Sequence, residues 1–371
     1  MIKVTLTNEI LNYITEIEKN RYKVSNVKLP RTVADRLRKI SKKKSSYAST
    51  KIEGNPLSEQ QADEVIESDE KKHFLRPEQE VRNYFLALDY LEIKARKKEK
   101  FTKNLILDVQ QYVEKGASKE RIGLRGQMPP GVLFAVYDSQ SGNPDYIPPE
   151  YTDIPALLDE LVEYVNTTDD HPLIIAAVVH YQLVTIHPFE DGNGRTARLL
   201  SGYILDINGF GFNGIGSLEE YFAYDIEEYY DSIQMGLPPL YYSGRDDPPH
   251  PEKWFNYFLR MVLIYSNKVC ELSEKSSGEE LEGSLSYLKG KEKELLLLLL
   301  KKYKREFTPI EVSKALGVTN KTVINRLSAL VKSGFVEPHM VKERIRTYEL
   351  TDFAKENGTN ILNTIEKESN P

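Results

Sequence analysis

The segment His187-Pro188-Phe189-Glu190-Asp191-Gly192-Asn193-Gly194-Arg195-Thr196-Ala197-Arg198 decides how the rest of the chain is read. It separates an apolar helical run, Pro172 to Val184, from a second helical pattern that begins near Asn193 and continues to about Asn208, with Gly209 as its stop. Gly192 and Gly194 flank Asn193 at that helix start. Glycine there tolerates the backbone angles of an anion-cradling nest and leaves amide N–H groups uncovered. A phosphate fits such a cradle. Arg195 and Arg198, three residues apart on the helix, can lean toward its N-terminal end and clamp further phosphate oxygens. Asp191 offers a hard oxygen ligand for a magnesium ion that bridges phosphates and keeps several waters. His187, at the loop's entrance, has the side chain whose unperturbed pKa allows general-base work near neutral pH. Each residue alone has a plainer explanation: a His before Pro, a Gly-Asn-Gly turn, an Arg pair facing solvent. Base, metal ligand, phosphate cradle and arginine clamp within twelve residues do not.

This segment resembles the signature of the Fic proteins, His-x-Phe-x-Asp/Glu-Gly-Asn-Gly-Arg-x-x-Arg, and every fixed position is present. The resemblance implies that His187 deprotonates a target hydroxyl, that Asp191 holds Mg2+, that Gly192, Asn193 and Gly194 bind the phosphates of ATP, and that Arg198 reaches the γ-phosphate. It extends the nucleotide contacts through Arg195, Thr196 and Ala197. Relatives that transfer a whole phosphate have an altered, lysine-containing nest, so the intact Gly192-Asn193-Gly194 points to AMP transfer onto a protein hydroxyl (Ser, Thr or Tyr). The resemblance covers about residues 30 to 270.

Three further stretches fit that family. Ser49-Thr50-Lys51-Ile52-Glu53-Gly54-Asn55 resembles its inhibitory signature, Ser/Thr-x-x-x-Glu-Gly/Asn, which implies that Glu53 pairs with Arg198 and blocks productive placement of the γ-phosphate. Pro129-Pro130-Gly131 precedes a β-type run from Val132 to Tyr137, and Asp138 to Asp145 is turn-rich before Tyr146-Ile147-Pro148-Pro149, a hairpin within a helical chain. It sits where the family has its flap, whose edge accepts a target segment by strand addition. The resemblance then places Asn143, Pro144, Asp145 and Tyr146 over the nucleotide, and Tyr229 and Tyr230 near the adenosine.

The expected fold class is mainly α: a Fic-type helical core with a β-hairpin flap, plus a C-terminal winged-helix domain. Helices are expected over Asn8 to Asn20, Val33 to Ile40, Arg76 to Lys98, Thr102 to Val113, Ile154 to Asn166 and Trp254 to Leu272. The expected divisions are an N-terminal helical region, 1–75, a catalytic core, 76–272, a Ser-, Gly- and Glu-rich linker, 273–286, and a C-terminal unit, 287–371. In that last unit Thr308-Pro309 opens a helix stopped by Gly317. Thr319 caps a second carrying Val323, Leu327, Leu330 and Val331. Phe335-Val336 and Ile345 to Leu350 then alternate as two strands. Lys321, Asn325 and Arg326, with Lys342, Arg344 and Arg346 on the wing, leave duplex DNA open as a partner through residues 308–350.

Charge supports that asymmetry. The chain has a net charge of −6, yet Lys291 to Arg346 carries 13 Lys or Arg against 6 Asp or Glu. The 371 residues, 40% hydrophobic and 29% charged, suit two or three compact units and argue against pervasive disorder. A single cysteine, Cys270, excludes an intramolecular disulfide framework and fits a reducing compartment. No signal-like or membrane-length apolar run occurs, so a cytoplasmic location without membrane partners is expected. Three activities stay open: self-inhibited AMP transfer, transcription regulation with the core as sensor, and removal of AMP from proteins with Glu53 positioning water. The sequence sets neither the target nor the oligomeric state.

Overall fold

The computed structural model describes residues 1–369 except 28, 30, 69–72, 119–121, 133, 138–143, 239–245, 287, 304, 342 and 343. Two compact units emerge: Met1–Val24 with Arg36–Cys270, and Ser25–Asp35 with Glu271–Pro371.

The first unit holds α1 (Asn8–Asn26) as far as Val24, α2 (Arg31–Ile52) from Arg36, α3 (Glu59–Glu67), α4 (Arg76–Arg96), α5 (Lys103–Glu114), α6 (Ile154–Thr167), α7 (Pro172–Ile186), α8 (Asn193–Ile207), α9 (Glu219–Phe222), α10 (Ile226–Gln234) and the start of α11 (Pro251–Ser286). Its axis is α7. The segment is apolar on every side, so it is stable only when surrounded, and its residues from Leu173 to Ile186 are buried almost without a break. Pro172 occupies its first turn, where a missing N–H costs nothing, and His171 caps it by accepting from the Leu173 amide. Helix α8 packs along α7, and α4 and α5 flank α8. The indole N–H of Trp254 donates to the Ala177 carbonyl at 2.8 Å, fixing the start of α11 on α7.

Helix α2 runs farther than its apolar spacing announces, through the whole of Ser49 to Ile52. Its serines explain this: Ser41, Ser46 and Thr50 bond back to carbonyls one turn earlier, and Ser45 and Tyr84 of α4 both donate to the Glu219 carboxylate, at 2.7 and 2.9 Å. Polar residues that look solvated in sequence are buried and paired.

The β excursion is smaller than its sequence run. Strand β1 is Val136–Tyr137 and β2 is Pro144–Tyr146, antiparallel, with Val136 opposite Tyr146 and Tyr137 opposite Pro144. The turn between them, with Asn143, lies outside the described residues.

The segment expected to be a linker, 273–286, is helical instead, the end of the 36-residue α11. A helix already nucleated over Trp254 to Leu272 extends at little cost through Glu279, Glu280, Leu281 and Glu282, and no proline intervenes.

The second unit holds α12 (Gly290–Lys302), α13 (Pro309–Leu316), α14 (Asn320–Lys332), β3 (Val336–Val341), β4 (Arg344–Leu350), α15 (Asp352–Glu356) and α16 (Gly358–Ser369). Thr308 and Glu311 form a reciprocal capping box at α13, Gly317 ends it at φ 65°, and Thr319 caps α14. Leu295, Leu299, Val312, Val323, Leu327, Phe335, Leu350 and Ile361 share one core. The leucine run 295–300 thus belongs to a packed helix. Among the described residues no helix is long and apolar enough to cross a membrane.

Candidate active site

Helix α7 stops at His187, which takes a left-handed backbone, φ 48° and ψ 58°. That conformation is uncommon for a residue with a β-carbon and costs on the order of 1 kcal/mol. It persists because the loop is pinned from both sides. From outside, Arg125 donates through Nε to the His187 carbonyl at 2.8 Å and through a second nitrogen to the Pro149 carbonyl, while its amide donates to the Pro188 carbonyl at 2.9 Å. From inside, the Asn193 side chain accepts from the Phe189 amide at 3.0 Å and donates to the Phe189 carbonyl at 2.9 Å. Asn193 therefore closes the loop, and the cradle is made by backbone. Intrahelical bonding in α8 begins at Thr196, whose amide donates to the Gly192 carbonyl, so the amides of 193–195 stand outside the helical ladder.

The imidazole of His187 has its Nδ1 3.2 Å from the Val184 carbonyl. Nδ1 then carries the hydrogen, and Nε2 keeps its lone pair. Burial pushes the ring's pKa down to about 4, with the Arg125 charge adding to it and Glu53 and Asp191 opposing it. The ring is neutral at pH 7, the form a general base needs.

Arg198 is 2% exposed. Its Nε donates to Ser49 Oγ at 2.8 Å, Nη2 to the Ser49 carbonyl at 3.0 Å and to Glu53 Oε1 at 2.6 Å, and Nη1 to Tyr229 Oη at 3.3 Å. The expected Glu53–Arg198 pair is present in the structure. Glu53 also lies over the start of α8: a β-carbon on Gly194 would fall 2.3 Å from Glu53 Oε1. A carboxylate stands where the bare helix N-terminus would take an anion.

Several expected contacts fall elsewhere. Arg195 points away from the cradle; it is buried, with Nη2 2.9 Å from Glu114 Oε1 and 3.2 Å from Asp191 Oδ1. Its guanidinium is engaged by these two carboxylates beneath the loop. Burial pushes the Glu114 carboxyl up to about 7 in spite of that guanidinium. The side chains of Thr196 and Ala197 are fully buried in α8. Tyr146 is buried, and its hydroxyl donates to the Thr185 carbonyl, so it anchors the hairpin on α7. Pro144 and Asp145 lie in β2. Tyr229, 1% exposed, spends its hydroxyl between Arg198 and His180 Nε2, at 3.3 and 3.0 Å, so its ring is a wall; Tyr230, 48% exposed, is the member of the pair open to solvent.

Asp191 is fully engaged. Oδ1 accepts from the Gly192 amide at 2.7 Å and from Arg195, and Oδ2 accepts from Arg76 Nη2 at 2.8 Å. Arg76, Ser49, Glu114 and Arg125 were not singled out by the sequence. They come from distant segments, and only Ser49, the first residue of the inhibitory-like signature, carried a signal.

Residues 100–205 match the profile of the Fic/DOC family. The chain carries a Fic domain. It is 45% identical over 69 residues to a protein adenylyltransferase Fic of Nematostella vectensis (18% of this chain and 16% of that protein), and 31% identical over 168 residues to one of Drosophila grimshawi (43% and 32%). These matches therefore span a third or less of those curated relatives. Among solved structures, a Fic family protein from Desulfovibrio desulfuricans superposes with a TM-score of 0.59 at 21% identity, covering 95% of this chain and 98% of that one. Fic-1 from C. elegans superposes with a TM-score of 0.54 at 24% identity, covering 72% of each. At those identities the likeness establishes the Fic fold.

Proposed function

We propose that this chain is a protein adenylyltransferase, held inactive by Glu53, that moves AMP from ATP onto a hydroxyl of a protein. The observation that carries the reading is the 3.2 Å contact of His187 Nδ1 with the Val184 carbonyl: a carbonyl only accepts, so Nδ1 carries the hydrogen and Nε2 is the proton acceptor at the edge of an anion cradle. The hydroxyl oxygen attacks the α-phosphorus, its proton passes to Nε2, and the bond from the α-phosphorus to the oxygen bridging to the β-phosphate breaks, releasing pyrophosphate. The amides at the start of α8 receive phosphate oxygens. Arg198 has the charge for the γ-phosphate once Glu53 leaves.

Asp191 fits a magnesium ion in chemistry and position: one hard carboxylate beside the cradle, partly exposed, its loop held by Asn193. When bound, Mg2+ would neutralise phosphate charge. Arg76 now occupies Oδ2 and would compete with the ion for that oxygen.

The test is incubation of Glu53→Gly protein with a lysate and ATP labelled on the α- or γ-phosphate. Covalent label from the α position alone, absent with His187→Ala added, supports AMP transfer; γ-label on protein indicates phosphate transfer. Loss of AMP from pre-modified protein, with none added, supports the reverse activity instead.

The second unit adds a further reading. Helix, turn, helix and antiparallel hairpin in that order, with Lys321 and Asn325 exposed on α14 and a basic local balance, support a winged helix that meets duplex DNA.

A further inference from the structure

Arg76 is the first residue of α4 and is largely exposed, yet its guanidinium is held between two carboxylates: Nε donates to Glu80 Oε1 at 2.9 Å and Nη2 to Asp191 Oδ2 at 2.8 Å. The remaining oxygen of Asp191 is taken by the Gly192 amide and Arg195, both of them part of the loop's own framework. Oδ2 is therefore the oxygen through which Asp191 can exchange partners, and its present partner is a cation on a side chain free to leave. The residue next in line is also tethered. Asn55 Nδ2 donates to the Pro77 carbonyl at 3.0 Å and to Glu80 Oε2 at 2.9 Å. Asn55 stands two residues after Glu53, and its own amide donates to the Thr50 carbonyl at the end of α2. A chain of hydrogen bonds thus runs from the Glu53 turn through Asn55, Glu80 and Arg76 to Asp191.

We propose that Arg76 is a second lock on the site, occupying the metal-binding oxygen of Asp191, and that Asn55 and Glu80 tie this lock to the one Glu53 places on Arg198. A guanidinium held on Oδ2 competes with a divalent ion for that oxygen by charge and by space, so the ion binds more tightly once Arg76 is displaced. The two locks guard different halves of the same ligand: Glu53 holds the arginine suited to the γ-phosphate, Arg76 the carboxylate suited to the ion. A movement of the 53–55 turn that withdraws Glu53 also pulls on Glu80, the other anchor of Arg76, and loosens both. This rests on the reading of Asp191 as the metal ligand.

The experiment measures Mn2+ binding to the full chain loaded with ATP and freed of excess nucleotide, by loss of the free-ion paramagnetic resonance signal, a readout that needs no turnover. Asp191→Ala should weaken binding at least tenfold; if it does not, the metal assignment of Asp191 fails, whatever Arg76 does. With that assignment standing, Arg76→Gln should tighten Mn2+ about two- to fivefold, the range set by an exposed ion pair. Asn55→Ala, which touches neither Asp191 nor the cradle, should move the affinity in the same direction. ATP affinity without metal, measured in parallel, should be unchanged by Arg76→Gln. Unchanged or weaker Mn2+ binding in Arg76→Gln overturns the lock, and weaker metal-free ATP binding would make Arg76 a phosphate ligand instead. A change in Arg76→Gln with none in Asn55→Ala overturns the tie to Glu53.

Discussion

Replacing Glu53 with glycine should separate activity from stability in a way the geometry around Arg198 sets in advance. Glu53 supplies one of four acceptors to that guanidinium; Ser49 Oγ, the Ser49 carbonyl and Tyr229 Oη remain at 2.8, 3.0 and 3.3 Å. The buried cation is not stranded. The lost bond is charge-assisted, but the Glu53 side chain is about a third exposed, so its removal should cost on the order of 1 kcal/mol once solvent screening is allowed for. For a chain of this size that is a fall in Tm of roughly 2–4 °C. The gain in transfer is larger. Holding the γ-phosphate off Arg198 misplaces the α-phosphate, and a displacement of about 1 Å costs on the order of 100-fold in rate, about 2.7 kcal/mol of barrier. Incorporation of α-phosphate label should thus rise about 100-fold in Glu53→Gly while the melting curve barely moves. Adding Arg198→Ala should abolish the gain, because the clamp itself is then missing. Equal, low incorporation in wild type and Glu53→Gly, with ATP shown to bind both and lysate protein present as target, would refute the inhibitory role.

His187→Ala should lower transfer by roughly 10²- to 10⁴-fold with ATP affinity nearly intact, read by calorimetry beside label incorporation, since the base acts on the incoming hydroxyl. Because burial lowers the His187 pKa to about 4 from an unfolded value of about 6.5, its neutral form is favoured by folding: this contribution to stability is present above about pH 6.5, declines as pH falls toward about 4, and is flat below. In Glu53→Gly protein the acid limb of the kcat/KM profile should sit at or below about pH 4, because Glu53 opposes the lowering; a limb near the ordinary imidazole value would place the ring in water. Gly194→Ala should raise the Kd for ATP about tenfold, since its β-carbon would crowd the anion position 2.3 Å from Glu53 Oε1; an unchanged Kd removes the cradle from binding. For the second unit, Lys321→Ala with Arg326→Ala should weaken duplex binding by the full chain and flatten its dependence on salt by counterion release, measured by fluorescence anisotropy; no binding at low salt would favour protein docking.

The parts of the site that lie within one local segment were legible in the sequence. Gly192-Asn193-Gly194 ahead of a periodic helix specifies a bare helix N-terminus, and His187 and Asp191 must then sit at its rim, because a six-residue loop leaves them nowhere else. The pairing of Glu53 with Arg198 was legible through a resemblance. The rest depended on which segments the tertiary fold brings together. Arg195 and Arg198 have the same chemistry and the same helix, yet one is turned to Glu114 and the other to Ser49 and Glu53, a difference set by what packs on each side of α8. Tyr229 and Tyr230 are adjacent in sequence, and burial alone makes one a wall and leaves the other half-exposed. Arg125, 62 residues before His187, and Arg76, 115 before Asp191, hold the loop through hydrogen bonds that leave no periodicity to read. Local backbone geometry follows from residue type, because glycine, proline and capping side chains act on their neighbours; the partner of a buried charge follows from the packing of distant elements, and only the folded chain states it.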